Sequence, residues 1–331
     1  MCPARPSACR LRGLRRRGPR WQPGPAEAVS EAAAELERIR SGGKRAVSLA
    51  LSALDISPRL PATSALLDAA LADPHGKVIG LTGPPGVGKS TLTNALIATL
   101  RTQGRTVGVI AVDPSSKRSG GALLGDRTRL KTDPGDRGLF MRSLAARDRL
   151  GGLSETALAS IVLMRALFDV VLVETVGIGQ SEGDVEMIAD TIVLCLQPAS
   201  GDSLQFMKAG IMEVPDIVVV TKADLGAPAR RAAADAEGAL GLSSTGNAPP
   251  VHLVSSVTGQ GIDALSEAVL QHEAGDDRRS GLARRLLEDA LRTRFGREGF
   301  AALSAAISGP VESPFGLMED FSRRIIAAFP R

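Results

Sequence analysis

Seven short runs rich in Val, Ile and Leu recur along the chain: KVIGLTG, TVGVIAVD, GLFMRSL, DVVLVET, TIVLCLQP, DIVVVTKAD and VHLVSS. Most are separated by stretches with helical periodicity. Apolar runs of this length predict strands buried on both faces. Strands that alternate with helices predict an α/β fold: a mostly parallel central sheet with helices on both faces. At 331 residues the chain is long enough for one large domain with appended elements. With eight Phe, one Trp (Trp21) and no Tyr, its core must be built from Ala, Val, Leu and Ile. The scarcity of rings also argues against a base-stacking nucleic-acid platform.

The flanks read differently. Residues 27–55 place apolar residues every three or four positions, with a break at Gly42 and Gly43, which predicts a helical pair or a broken helix. After Gly261 helical patterning returns in GIDALSEAVLQHEA, SGLARRLLEDALRTRF and PFGLMEDFSRRIIAAF. The expected organisation is a basic leader at 1–25, an N-terminal helical segment at 26–75, a core at 76–272 and a C-terminal helical arm at 273–331. Five of the eight phenylalanines (Phe295, Phe300, Phe315, Phe321, Phe329) fall in that arm. They anchor it either against another surface or against its own domain.

The formal charge of +4 comes from the leader, which holds seven arginines and no carboxylate; from residue 26 onward the balance is slightly acidic. Such a leader reads as an unstructured tail, and its composition equally suits a transit peptide. It has no signal-peptide core, and no later run approaches the ~20 apolar residues that span a bilayer. The expectation is a soluble cytoplasmic protein, or one of the mitochondrial matrix if the leader is a transit peptide, with no nucleic-acid or membrane partner. Cys2, Cys9 and Cys195 form no CxxC pair, and Cys195 lies in TIVLCLQ, where a buried free thiol is the usual occupant. His75, His252 and His272 are scattered, so no zinc spacing can be assembled from neighbours in sequence.

The chemistry starts at VIGLTGPPGVGKST, an apolar strand followed by Gly83-Pro84-Pro85-Gly86-Val87-Gly88-Lys89-Ser90-Thr91 and a helix-compatible stretch. This is a P-loop in its required strand-loop-helix setting. The glycines let successive backbone N–H groups turn toward phosphate oxygens, and the helix points its positive end at the same charge. Lys89 is expected to bridge the β- and γ-phosphates and the Ser90 hydroxyl to ligate Mg²⁺. The base is read further on. At the end of a strand, Thr221-Lys222-Ala223-Asp224 is similar to the NKxD element of GTPases, whose carboxylate accepts two hydrogen bonds from guanine. Adenine would offer that carboxylate a lone pair instead. A further strand ends in Ser255-Ser256-Val257, similar to the loop whose backbone N–H contacts guanine O6. GTP is therefore the expected substrate.

Two more segments complete the expected site. In AVDPSSKRSGGALLGDRTRL, Asp113 lies at a strand's C-terminal edge and Asp126 in the Gly-rich loop that follows. Both are candidates to hold Mg²⁺ directly or through water, and an ion pair with Arg127 or Arg129 is the other reading of Asp126. Glu174 reads as the acid that ends a Walker-B-type strand, and Gly177 as the amide that senses the γ-phosphate. The residue after Gly177 is Ile178, where Ras-like enzymes place the glutamine that orients water, so unaided hydrolysis is expected to be slow.

GPPGVGKST, AVDPSSKRSGGALLGDRTRL, DVVLVETVGIGQSE, QPASGDSLQFMKAGIMEVPDIVVVTKAD and SSVTGQGI together resemble the MeaB/ArgK/MMAA family of P-loop GTPases, over about residues 30 to 325. The resemblance implies a P-loop NTPase fold and a homodimeric, Mg²⁺-dependent GTPase. It also implies a chaperone of an adenosylcobalamin-dependent acyl-CoA mutase, typically methylmalonyl-CoA mutase, that gates cofactor loading or protection. By the same resemblance Lys89, Asp113, Asp126 and Glu174 match the family's phosphate and Mg²⁺ residues. Gln180 to Asp190 match an additional switch, and the C-terminal helices a dimerisation arm. The chain departs from the family in its basic leader, in Thr221, which some members share, and in ARDRLGGL, where relatives usually carry a histidine before the paired glycines. Two alternatives stand beside it. A nickel- or cobalt-type metallochaperone GTPase usually carries His-rich or Cys-rich tracts, which this chain lacks. A small-molecule kinase needs an acceptor pocket that the sequence does not display.

Overall fold

The computed structural model describes residues 26–58, 60–113, 133, 135–145, 153–175, 181–198, 215–243, 248–273, 275–304, 307 and 309–328. The leader at 1–25 therefore lies outside the described residues. Helices α1 (Ala26–Ser41), α2 (Gly43–Ile56) and α3 (Pro61–Ala72) precede β1 (Lys77–Thr82) and α4 (Lys89–Thr102). There follow β2 (Val107–Asp113), β3 (Leu139–Ala145), α5 (Glu155–Leu167), β4 (Val170–Glu174), α6 (Ser181–Ile188), β5 (Thr191–Leu196) and β6 (Ile217–Val220). A 3₁₀ turn (Ala223–Leu225), α7 (Ala227–Ser243), β7 (Val251–Leu253) and α8 (Ile262–Gln271) close the core, and α9 (Asp276–Ser280), α10 (Leu282–Ser304) and α11 (Pro314–Ala328) follow.

Each of the seven expected strands is present. They form one seven-stranded sheet in the order β3-β2-β4-β1-β5-β6-β7, and every pairing is parallel. Successive residues point to opposite faces. Ile79, Leu81, Val107, Val109, Val170 and Leu172 pack under Leu92, Leu96 and Leu100 of α4 and Leu265 and Val269 of α8. Their neighbours Val78, Ile110, Val112, Val171 and Val173 pack on the other side against Ile161, Leu163 and Met164 of α5. Beyond α5, Leu51, Leu54 and Leu67 from α2 and α3 join the same cluster. The N-terminal helices thus form a third layer, and the break foreseen at Gly42 and Gly43 separates α1 from α2.

In the C-terminal segment, α10 continues past the expected end of its helical pattern at Phe295. A kink at Gly296, with φ of 67°, is followed by further helix to Ser304. Leu287, Leu291, Leu303, Met318 and Phe321 form its core, with Phe295 and Phe300 against it and the Arg292 guanidinium 4.0 Å above the Phe300 ring. Phe315 packs on the main cluster instead. Among the described residues, four of the five arm phenylalanines therefore pack within the chain, while Phe329 lies outside the described residues. No helix among the described residues is long and apolar enough to cross a membrane.

Candidate nucleotide site

The C-terminal edge of the sheet is where ligands of open α/β sheets bind, and the site is built from the loops that leave β1, β4, β6 and β7 there. The loop after β1 is shaped by glycine. Gly83 has φ of 136°, and a Cβ on it would lie 2.3 Å from the Cys195 carbonyl oxygen of β5. A side chain is excluded on both grounds. Gly86 and Gly88 also have positive φ, 79° and 102°, conformations that curl successive N–H groups toward one point. Lys89 opens α4 and is 7% exposed. Its Nζ donates to the carbonyls of Gly83 at 2.7 Å and Pro84 at 3.1 Å, so the ammonium lies folded against its own loop.

Strand register brings the acid to the loop. Glu174 ends β4 opposite Leu81 of β1 and Ala111 of β2. The Ser90 hydroxyl donates to its Oε1 at 2.6 Å, and the buried Thr93 hydroxyl reaches Oε2 at 3.4 Å while also donating to the Lys89 carbonyl at 3.0 Å. Thr93 was not legible as a site residue, although it lies four positions after Lys89 on one face of the helix. A serine hydroxyl and a carboxylate in contact are hard oxygen donors, a set that fits one or two protein ligands of Mg²⁺ with phosphate and water completing the shell. Among the described residues no group of three or more His, Cys, Asp or Glu gathers as a metal cage. The backbone of Asp113 ends β2 two residues beyond the Ala111 that pairs with Glu174. Its side chain, Asp126, Gly177, Ile178 and Gln180 lie outside the described residues. Beneath the loop, Cys195 is fully buried, and burial pushes its thiol up to about 12, so it stays a neutral packing group.

The two loops expected to read the base lie side by side. The Thr221 hydroxyl is 2.7 Å from the Val87 carbonyl in the P-loop and 3.0 Å from the Leu196 carbonyl on β5, and its one proton serves both. This residue therefore ties the base loop to the phosphate loop. Lys222 has φ of 56°, a left-handed backbone rare for a residue with a side chain. Its Nζ donates to Gln197 Oε1 at 2.7 Å, a partner with no sequence signature. The Ala223 N–H donates to the Val254 carbonyl at 2.9 Å, which joins the two loops. Ser255, fully buried, donates through its hydroxyl to Asp224 Oδ1 at 2.5 Å. Val257 is 83% exposed on the same loop as Ser256. The structure thus gathers Gly83 to Thr91 with Glu174 in one cluster and Thr221, Lys222, Asp224 and Ser255 in a second, linked through Thr221 and Val87.

A parallel sheet whose first strand runs into this phosphate loop, with an acid at the end of the neighbouring strand, defines a P-loop nucleoside triphosphatase. Residues 45–293 match the family described as Methylmalonyl Co-A mutase-associated GTPase MeaB, and the chain belongs to that family and is a GTPase. It is 37% identical over 302 residues to a candidate GTPase of Pyrococcus horikoshii, covering 88% of this chain and 92% of that one. It is 42% identical over 203 residues to the mouse protein named Methylmalonic aciduria type A homolog, mitochondrial, covering 59% of this chain and 49% of that one. To GTPase ArgK of Escherichia coli it is 39% identical over 196 residues, covering 58% and 59%. Among solved structures, one titled LAO/AO transport system kinase superposes with a TM-score of 0.63 at 25% identity, covering 91% of this chain and all of that one.

Proposed function

We propose that this chain is a GTP-driven switch that binds an adenosylcobalamin-dependent acyl-CoA mutase of the methylmalonyl-CoA mutase kind and gates the loading or protection of its cofactor. The observation that carries the reading is the family match over 45–293, whose description names that mutase. The working form is a homodimer held through the C-terminal arm. In the reaction, Lys89 leaves the Gly83 and Pro84 carbonyls for the β- and γ-phosphates, whose charge it neutralises. The N-terminus of α4 adds its positive end to the same oxygens. Ser90 and Glu174 would hold Mg²⁺, with Asp113 and Asp126 as the further candidate carboxylates; the ion, when bound, would offset charge on the phosphate oxygens. Asp224, oriented by Ser255, accepts from guanine, while the stem of Lys222 covers the base.

With Ile178 in place of a water-orienting glutamine, turnover by the isolated chain is slow and the mutase supplies what is missing. With GTP bound, the segment from Asp113 to Asp126 and the segment from Gln180 to Asp190, most of which is the helix α6, form the surface the mutase recognises. GTP turnover is the test, measured with and without an adenosylcobalamin-dependent acyl-CoA mutase from the same source, with ATP as control. The expected result is a slow, GTP-selective rate that the mutase accelerates. A rate and a GDP affinity that the mutase leaves unchanged would overturn the coupling, because linkage must act in both directions.

A further inference from the structure

Both oxygens of Glu174 are held by one helix. Ser90 and Thr93 are neighbours on one face of α4, and their hydroxyls meet Oε1 at 2.6 Å and Oε2 at 3.4 Å. The strand side is fixed as well. Thr175, the next residue, donates its N–H to the Leu81 carbonyl at 3.2 Å and its hydroxyl to the same oxygen at 3.3 Å. Thr93 is fully buried and Glu174 is 8% exposed, so little water competes for the contact between them.

The two hydroxyls do different work. Ser90 directly follows the loop lysine and is a candidate ligand of the ion, whereas Thr93 lies one turn farther along the helix, behind the carboxylate. A glutamate side chain has several torsions, and fixing them costs entropy. Thr93 is suited to supply that restraint, because its branched Cβ limits χ1 and the Lys89 carbonyl, 3.0 Å away, already steers its hydroxyl. A carboxylate oxygen that accepts one hydrogen bond keeps a second lone pair for an ion or its water. We propose that Thr93 is a positioning residue of the metal site: by holding Oε2 it keeps Oε1 aimed at the Ser90 hydroxyl and at the place of the ion. The proposal rests on the reading that Ser90 and Glu174 hold Mg²⁺. Without the Thr93 hydroxyl, Glu174 turns about its terminal bonds, and only the Mg²⁺-dependent part of nucleotide binding suffers. The contacts of the phosphate loop and of Asp224 do not pass through Thr93.

The test measures the affinity of the full chain for a fluorescent GDP, first in EDTA and then across a Mg²⁺ series, for the parent, Thr93→Val and Thr93→Ser. Valine keeps the shape of threonine without the hydroxyl, and serine keeps the hydroxyl. Binding of Mn²⁺ to each GDP complex, followed by electron paramagnetic resonance, reads the ion directly. The parent is expected to bind GDP more tightly with Mg²⁺ than in EDTA. Thr93→Val should need about tenfold more Mg²⁺ for the same gain and hold Mn²⁺ about tenfold more weakly, the worth of one hydrogen bond to a charged group. Its affinity in EDTA should equal the parent's, and Thr93→Ser should restore the ion response. Should Thr93→Val fail to fold, Thr93→Ala is read in the same way. A parent whose GDP affinity ignores Mg²⁺ overturns the metal reading and this proposal with it. A parent that responds to Mg²⁺ overturns the role of Thr93 alone if the variant without the hydroxyl responds equally, if that variant loses as much affinity in EDTA as in Mg²⁺, or if serine fails to restore the response.

Discussion

Asp224 takes its orientation from a buried serine, with Ser255 Oγ 2.5 Å from Oδ1, and its exposed carboxylate is the acceptor proposed for the base. Guanine presents two donors on that edge, N1–H and the 2-amino group. Replacing one acceptor oxygen by an amide, as in Asp224→Asn, sets donor against donor at the 2-amino group but suits xanthine, whose 2-oxo group accepts. GTP affinity is expected to fall about 100-fold, with XTP displacing a fluorescent nucleotide better than GTP does. An unchanged preference for GTP over ATP and XTP would mean that the base is read elsewhere. Thr221 makes a second argument at this scale. Thr221→Val keeps the shape and removes the hydroxyl shared by Val87 and Leu196, leaving the P-loop carbonyl of Val87 without that donor. The expected loss is about tenfold in GDP affinity, measured by nucleotide titration, with the GTP-over-ATP preference intact because Asp224 is untouched.

Among the elements, α6 follows directly on the segment that carries Gly177, and its seat on the sheet depends on a missing side chain. A Cβ on Gly80 of β1 would stand 2.3 Å from Val185 Cγ1 and 3.5 Å from the Ala189 Cβ. Val185 is 1% exposed and branched at Cβ, so it has nowhere to turn. Gly80→Ala is therefore expected to lift α6 and to cost about 1–3 kcal/mol, read from the denaturant midpoint, with GTP turnover falling as well. A midpoint equal to that of the parent would show that α6 shifts without cost. The same scale explains what could be read in the sequence. The five inner strands were legible because each is apolar on both faces, and the phosphate loop because its residues are consecutive; the edge strands β3 and β7, which carry Arg142 and His252, were legible from their place in the regular alternation with helices. Helix α3 was not separated from its neighbours, since PATSALLDAALA is apolar nearly all round and has little one-sided period. The contact of Ser90 with Glu174 joins residues 84 positions apart and follows from register between β1 and β4, which no spacing reveals. Gln197 was missed because a single glutamine at a strand end has no pattern; only the Lys222 ammonium beside it marks it.

At the scale of the whole molecule, the arm meets the N-terminal helices at a half-buried carboxylate as well as through apolar packing. Asp68 of α3 accepts from the Phe315 N–H at 3.0 Å, the Gly316 N–H at 2.9 Å and the Ser313 hydroxyl, all at the start of α11. Burial pushes its pKa up to about 6 despite these donors. The sign of the consequence follows from proton binding. Between 3.8 and about 6 the unfolded chain has released the proton and the folded chain still holds it, so stability falls as pH rises through that window and is flat above it. Asp136 works in a lower window. Its hydrogen bond with Arg101 holds its pKa down to about 2, so its contribution is present above 3.8 and is lost as pH falls through about 2. The two are separable by substitution. Asp68→Asn keeps an acceptor for α11 without the charge, so the variant is expected to be more stable than the parent by about 2 kcal/mol at neutral pH. That gap should close as pH falls from about 6 toward 4, where the folded chain holds the proton on Asp68 and no charge is buried there. Urea denaturation of both proteins across pH 4 to 8 measures the gap directly. A variant less stable than the parent at every pH would mean that the carboxylate's charge, acting on the first turn of α11, outweighs the cost of burying it.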